Sequence, residues 1–199
     1  MNKSRLKIWE LSLLIALCIS LCAGAWAQAK QEEISSDLVR LHVIAVSDSE
    51  TEQNIKLDVR DAVLGYLAPK LEGAESIAAA RSIISAELDG IAEVSRSAAQ
   101  GRPVSVTLSR EYYPTRSYEG FSLPAGEYES LRVILGEGEG HNWWCVVFPP
   151  LCVSAAEQDR ALDAMSGDVR GIISDDGGRV IRFRIVELWG ELTRLIGVV

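Results

Sequence analysis

The hydrophobic period of this chain changes twice, and the change limits the folds open to it. Val39, Leu41, Val43 and Ala45 alternate with Arg40, His42 and Ile44, the period of a strand with one buried face. From Ile55 the spacing becomes helical. Ile55, Val59, Ala62, Val63, Tyr66 and Leu67 share a stripe, which Ser49 and Glu52 precede as a capping box and Pro69 and Gly73 end. Ile77, Ala80, Ile84, Leu88 and Ile91 form a second stripe, predicting one helix from Ser76 to near Gly101. Alternation then returns at Val104, Val106 and Leu108. Further strands are expected over residues 127–135 and 142–148, joined by a turn carrying Gly136, Gly138 and Gly140. One strand, two helices and three strands in succession predict an α+β domain over residues 38–152. It is a small antiparallel sheet of about four strands packed with two helices.

Both ends of the chain differ from this domain. Lys3, Arg5 and Lys7 precede an apolar run from Leu11 to Cys22, and Ala25-Trp26-Ala27 follows. A basic start, a short apolar middle and an A-x-A ending describe a secretory signal over residues 1–27. The apolar stretch from 11 to 27 also reaches the lower length limit of a membrane-spanning helix, so an N-terminal anchor is the alternative. Cys18 and Cys22 each follow a Leu, where a lipoprotein signal needs a small residue. Residues 153–179 are acidic and interrupted by glycines, which predicts a flexible linker. Over residues 180–199, Ile181, Ile185, Leu188, Trp189, Leu192, Leu195, Ile196 and Val199 recur at helical spacing, a C-terminal amphipathic helix. Three uses stay open for it: packing on the domain, lying on a membrane surface, or entering a partner's groove.

Charge narrows the partners. Of 20 basic and 28 acidic residues, removal of residues 1–27 takes three basic ones and Glu10, leaving 17 against 27 and a net charge of −10. Such a chain repels phosphate backbones, so nucleic acid is not an expected partner; a protein or a cationic wall component suits it better.

Residues 138–152 concentrate the chemistry, with two tryptophans, two prolines, two cysteines and one of two histidines. Adjacent strand residues point to opposite faces, so Trp143 and Trp144 cannot both enter one core. Cys145 and Cys152 either pair or remain two buried thiols. A disulfide there closes a short loop worth roughly 2 to 3 kcal/mol, and requires Pro149-Pro150 to reverse the chain. A thiol nucleophile at Cys145 or Cys152 with His141 or His42 as base is poorly spaced. A zinc site from His42, His141, Cys145 and Cys152 lacks the short paired spacings of structural zinc sites. The pairs Glu137 with Glu139 and Glu127 with Glu129 suit two-carboxylate hydrolysis in type, but glycines and turn residues around them favour a solvated loop. Lys56, Arg60 and Asp61 lie off the apolar stripe of their helix as a charged contact face. No metal or cofactor is expected.

The block from Gly138 to Cys152, containing Trp143-Trp144-Cys145 and Pro149-Pro150-Leu151-Cys152, resembles the stage II sporulation protein R family. So do Arg40 to Ala45, Ser47-Asp48-Ser49, Lys56-Leu57, Val59 to Leu64 and Leu123 to Tyr128. The resemblance runs from about Leu38 to Cys152; Val46 departs from an expected Asn and Ser130 from a usual Ala. It implies a non-enzymatic signal made in the forespore of an endospore-forming bacterium and exported to the intermembrane space. There it activates a membrane-bound aspartic protease that processes the sigma E precursor. The residues expected to meet that protease are His141, Asn142, Trp143 and Trp144, with Lys56, Arg60 and Asp61. The alternative is an extracytoplasmic thiol- or carboxylate-dependent hydrolase acting on cell wall or peptides.

Overall fold

A computed structural model describes residues 3–118 and 121–150, with side chains from residue 7 onward. The expected linker over 153–179, the C-terminal helix over 180–199 and Cys152 lie outside the described residues. In chain order the elements are α1 (Lys3–Ser36), β1 (Val39–Ile44), α2 (Glu50–Leu71), α3 (Ile77–Ala86), α4 (Leu88–Ala98) and β2 (Val104–Tyr113). Then come β3 (Arg116–Tyr118), β4 (Phe121–Leu123), β5 (Gly126–Leu135) and β6 (Asn142–Phe148). The described chain forms two compact units, one of residues 3–33 and 114–126, the other of residues 34–113 and 127–150.

The larger unit is α+β, with a four-stranded sheet in the order β2-β5-β1-β6. The sheet is mixed rather than wholly antiparallel. β1 runs parallel to β5, with Val39 opposite Glu129 and Ile44 opposite Ile134, and antiparallel to β6, with Val43 opposite Trp143 and His42 opposite Trp144. The departure follows from insertion of β1 between two strands that come much later in the chain, so that β5 and β6 are not hydrogen-bonded neighbours despite being consecutive.

One face of this sheet packs on the helices. Val39, Leu41 and Val43 of β1 meet Leu131, Val133 and Leu135 of β5 and Cys145 and Val147 of β6. Against them lie Ile55, Val59, Val63 and Leu67 of α2, Ala80 and Ile84 of α3 and Ile91 of α4. Each of the Val, Leu and Ile side chains among them stabilises the fold by about 1.5 to 3 kcal/mol for its full burial. β1 is buried on both faces, so Arg40 and His42, expected on a polar side, are buried as well.

α2 begins as expected, with the Ser49 hydroxyl accepting the Glu52 N–H at 3.3 Å. The reciprocal half of the capping box is replaced: the Glu52 carboxylate takes Arg102 at 2.7 Å. Pro69 lies inside α2 rather than ending it. Near a C-terminus the helix needs few further bonds, and Pro69 removes only one donor. The single helix expected from Ser76 is two. Ser76 caps α3 by accepting the Ala79 N–H, and the break falls at Glu87. Tyr66 donates to the Glu87 carboxylate at 2.5 Å and Lys70 pairs with it at 3.1 Å, both from α2.

In the smaller unit β3 and β4 form an antiparallel pair, with Tyr118 opposite Phe121 and their rings stacked at 4.7 Å. The turn-rich sequence there did not predict a hairpin. α1 carries a stretch from residue 7 to 36 that is long and apolar enough to cross a membrane.

Candidate functional site

The residues expected to carry recognition converge at one end of the larger sheet, where two loops meet. The segment following β1 carries Ser47 and Asp48; the turn between β5 and β6 carries Gly136 to His141. Gly138 has φ +69°, a left-handed conformation that suits glycine. Gly140 approaches so closely that its N–H donates to the Ala45 carbonyl at 2.9 Å, and a Cβ there would lie 2.4 Å from the Ser47 carbonyl oxygen. Side chains then tie the loops to α2. Gln53 Nε2 donates to the Ser47 carbonyl at 2.8 Å, and Lys56 Nζ donates to the His141 carbonyl at 3.0 Å and to Gln53 Oε1 at 2.5 Å. The Asp48 carboxylate accepts the His141 N–H at 2.6 Å and also meets its ring Nδ1. The His141 side-chain bond is the largest cause holding the Asp48 carboxyl below its usual range.

Lys56 corrects one expectation. It is 4% exposed, a floor to the platform rather than part of a charged contact face, because its ammonium is drawn inward by the two oxygens it bonds. Burial lowers its pKa, opposed by the Asp48 charge and reinforced by Arg60. Arg60 and Asp61 do reach the surface together. The Arg60 guanidinium bonds the Asp61 carboxylate at 2.7 Å and lies 4.5 Å over the ring of Trp143, a cation–π contact worth about 0.5 to 1 kcal/mol where exposed. Trp143, across from Val43 and therefore on the helix side of β6, is 36% exposed.

The two tryptophans part as strand geometry requires. Trp144, opposite His42, belongs to the other face of the sheet, with ring centroids 5.5 Å from His42 and 6.4 Å from Tyr113. That face holds a polar seam which sequence reasoning missed. His42 Nδ1 bonds the Glu111 carboxylate at 2.9 Å, and its Nε2 meets Asn142 Oδ1 at 2.8 Å. Ser130 donates to Glu111 at 2.9 Å and shares a 2.7 Å bond with the Tyr113 hydroxyl. Arg40, fully buried, stacks 3.9 Å over the Tyr113 ring and 4.9 Å from that of Tyr128. Burial raises the Glu111 pKa, but the His42 bond and charge, the Ser130 bond and Arg132 outweigh it and lower the carboxyl. The only sequence signal for this seam was the alternation that set Arg40 and His42 on one side of β1. Asn142 joins the two features, being the first residue of β6 beyond the platform and the anchor of His42 from its far side.

The alternative chemistries are not assembled by this geometry. Cys145 is buried and disulfide-bonded, whereas Cys18 and Cys22 are free; the fourth cysteine, Cys152, lies outside the described residues. His141 turns to Asp48 and His42 to Glu111 and Asn142, so neither serves Cys145. Among the described residues no group of three or more His, Cys, Asp or Glu side chains is placed to hold a metal ion. Glu137 and Glu139 are exposed, and Glu129 pairs with Arg81 at 3.3 Å.

Comparison with known proteins points one way. No solved structure matches the chain. The stage II sporulation protein R of Bacillus subtilis (strain 168) is 34% identical over 152 residues, covering 73% of this chain and 68% of the relative. The family model described as stage II sporulation protein R matches residues 35–158, a span that contains β1, the glycine turn and both tryptophans. With most of the domain matched, the chain belongs to the stage II sporulation protein R family, and its role lies in sporulation.

Proposed function

We propose that this protein is a contact signal of endospore formation. Exported from the forespore into the intermembrane space, it binds a membrane-bound aspartic protease and favours that protease's active state, so that the sigma E precursor is processed. Activation by binding needs only that the signal touch one conformation of the protease more tightly than the other. The observation that carries this reading is the Arg60 guanidinium stacked on the exposed Trp143 beside two loops that are hydrogen-bonded to each other and to α2. Tryptophan and arginine dominate the energetic centres of protein interfaces, and here neither is spent on the core. Lys56 and the Asp48–His141 pair hold the surface in place before the partner arrives, which lowers the ordering cost of binding.

The test is co-expression of the full chain with the protease and its substrate, followed by the rate of precursor cleavage. Trp143→Ala and Arg60→Ala are each expected to keep export and folding and to lower cleavage about tenfold or more, the effect of losing a contact worth ~1.4 kcal/mol or above. Full cleavage by the double variant at normal protein levels would remove this surface from the signal. Trp144→Ala serves as a contrast, because Trp144 packs beside His42 and Tyr113 and its loss acts through stability.

A further inference from the structure

We propose that two copies of this chain join edge to edge through β2, antiparallel about a two-fold axis at Thr107, so that two four-stranded sheets become one continuous sheet. Among the described residues β2 ends the sheet, with β5 on its inner side. An end strand presents a row of backbone N–H and C=O groups to whatever comes beside it, and proteins ordinarily blunt such an edge with a short strand, a lysine, a proline or a bulge. β2 is 10 residues long, and Val104-Ser105-Val106-Thr107-Leu108-Ser109 contains no charge, proline or glycine. That edge is suited to strand addition.

The strand itself says what covers it. The Pro103 carbonyl accepts the Gly136 N–H at 2.9 Å, which turns the backbone of residue 103 toward the end of β5. Backbone direction alternates along a strand, so the N–H and C=O of Val104, Val106, Leu108 and Arg110 point to the open edge. Val104, Val106 and Leu108 are half-buried against the core, whereas Ser105, Thr107 and Ser109 are exposed on the other face. Ser105-Val106-Thr107-Leu108-Ser109 therefore reads the same in both directions by chemical type. A copy turned about Thr107 sets Val106 opposite the second copy's Leu108, Ser105 opposite its Ser109, and Thr107 opposite itself. Apolar meets apolar and hydroxyl meets hydroxyl, the cross-strand pairs that stabilise a sheet.

Charge fixes the register and the site. An axis at Val106 would put Arg102 against the second copy's Arg110, two like charges; an axis at Leu108 would put Arg110 against Val106 in the middle of the ladder. With the axis at Thr107, Arg110 falls at the ladder's end opposite Val104, where its aliphatic stem covers the valine. The chain carries a net charge of −8, so copies repel wherever carboxylates approach. The strip from 104 to 109 carries none. The same edge serves both copies in a two-fold pairing, so assembly closes at two.

The test uses the full chain in detergent, with Cys18→Ser and Cys22→Ser removing its free thiols. Thr107→Cys in this background places two sulfurs at a non-hydrogen-bonded cross-strand site, where Cα atoms stand about 4.5 Å apart and a disulfide fits. Under mild oxidation it is expected to form a reductant-sensitive dimer about tenfold faster or more than Ser82→Cys, an exposed site on α3, because paired strands hold the thiols at a high effective concentration. Equal rates overturn the proposal. Sedimentation in density-matched detergent supplies a second reading. The parent is expected to be a dimer; Thr107→Lys and Thr107→Asp, at an exposed position, should each be monomers with the parent's circular dichroism, and their equimolar mixture should restore the dimer. A monomeric parent, as when the edge takes another protein's strand, or a Thr107→Lys chain that stays dimeric, overturns pairing through β2. The inference is independent of the protease reading: a monomer that triggers precursor processing sinks the pairing alone, and a dimer that triggers none supports the pairing and sinks the signal.

Discussion

Gly140→Ala is expected to destabilise the domain by about 2 to 4 kcal/mol. The added Cβ would lie 2.4 Å from the carbonyl oxygen of Ser47, 2.6 Å from its carbonyl carbon and 2.8 Å from its nitrogen. All three are backbone atoms, which no rotamer change can move aside. Overpacking of this kind costs about 1 to 3 kcal/mol. Loss of the bond from the Gly140 N–H to the Ala45 carbonyl, now 2.9 Å, adds about 1 kcal/mol. At about 2 to 4 °C per kcal/mol for a chain of this size, thermal denaturation followed by circular dichroism should show a fall of roughly 5 to 15 °C. Gly65→Ala is the control. Gly65 lies exposed in α2, and a methyl group added to it would meet nothing within 4 Å, so alanine there should stabilise by about 0.5 to 1 kcal/mol. If Gly140→Ala melts with the parent protein while Gly65→Ala behaves as expected, the close approach of the two loops is refuted.

Glu111→Gln should flatten the acid limb of the stability curve. The folded carboxyl titrates below its ordinary value of 4.5, so its contribution is present above that value and lost as pH falls through the lowered one; urea titrations of parent and variant that run parallel from pH 6 to pH 3 would contradict this. Alkylation of the denatured but unreduced full-length chain should label Cys18 and Cys22 and spare Cys145, and Cys145→Ser should cost roughly 2 to 3 kcal/mol if Cys152 is its partner in a short loop. Labelling of Cys145 without reductant would remove the disulfide. The stability of Lys56→Met relative to the parent should be greater at neutral pH than near pH 10, because the parent gains stability as pH rises from the lowered folded pKa towards 10.5 and the variant does not; identical pH profiles in denaturant melts would show that burial of the ammonium has no such linkage.

Hydrophobic period made the α+β class, the start of α2 at Ser49 and the start of α3 at Ser76 legible, since stripes and caps are local properties. Pairing was not. Nothing in the alternation of Val39, Leu41 and Val43 specifies that β1 sits between β5 and β6, or that it runs parallel to the former. The break at Glu87 escaped for a similar reason, because the groups that grip it, Tyr66 and Lys70, come from another helix. Of the candidate site, Trp143, His141, Arg60 and Asp61 were recognisable by residue type, and the opposed tryptophans followed from strand geometry. Lys56 was misplaced because its spacing put it beside the stripe, and its burial is explained by the His141 carbonyl and the Gln53 Oε1 that its ammonium bonds. Glu111 and Ser130 were invisible as a pair: they sit on different strands, and their meeting depends on the sheet order.

The central position of β1 also bears on the proposed export. Its partner in β5 lies 90 positions downstream at the Val39–Glu129 pair, and its partner in β6 lies 106 positions downstream at Arg40–Val146. Ladders between such distant segments close late, after the entropy of a long loop has been overcome. A polypeptide threaded through a translocation channel from its N-terminal end thus holds its middle strand outside, unpaired on both sides, until nearly all of the domain has followed. Under the proposed export, this topology would keep the chain loose for passage and delay the finished sheet to the far side.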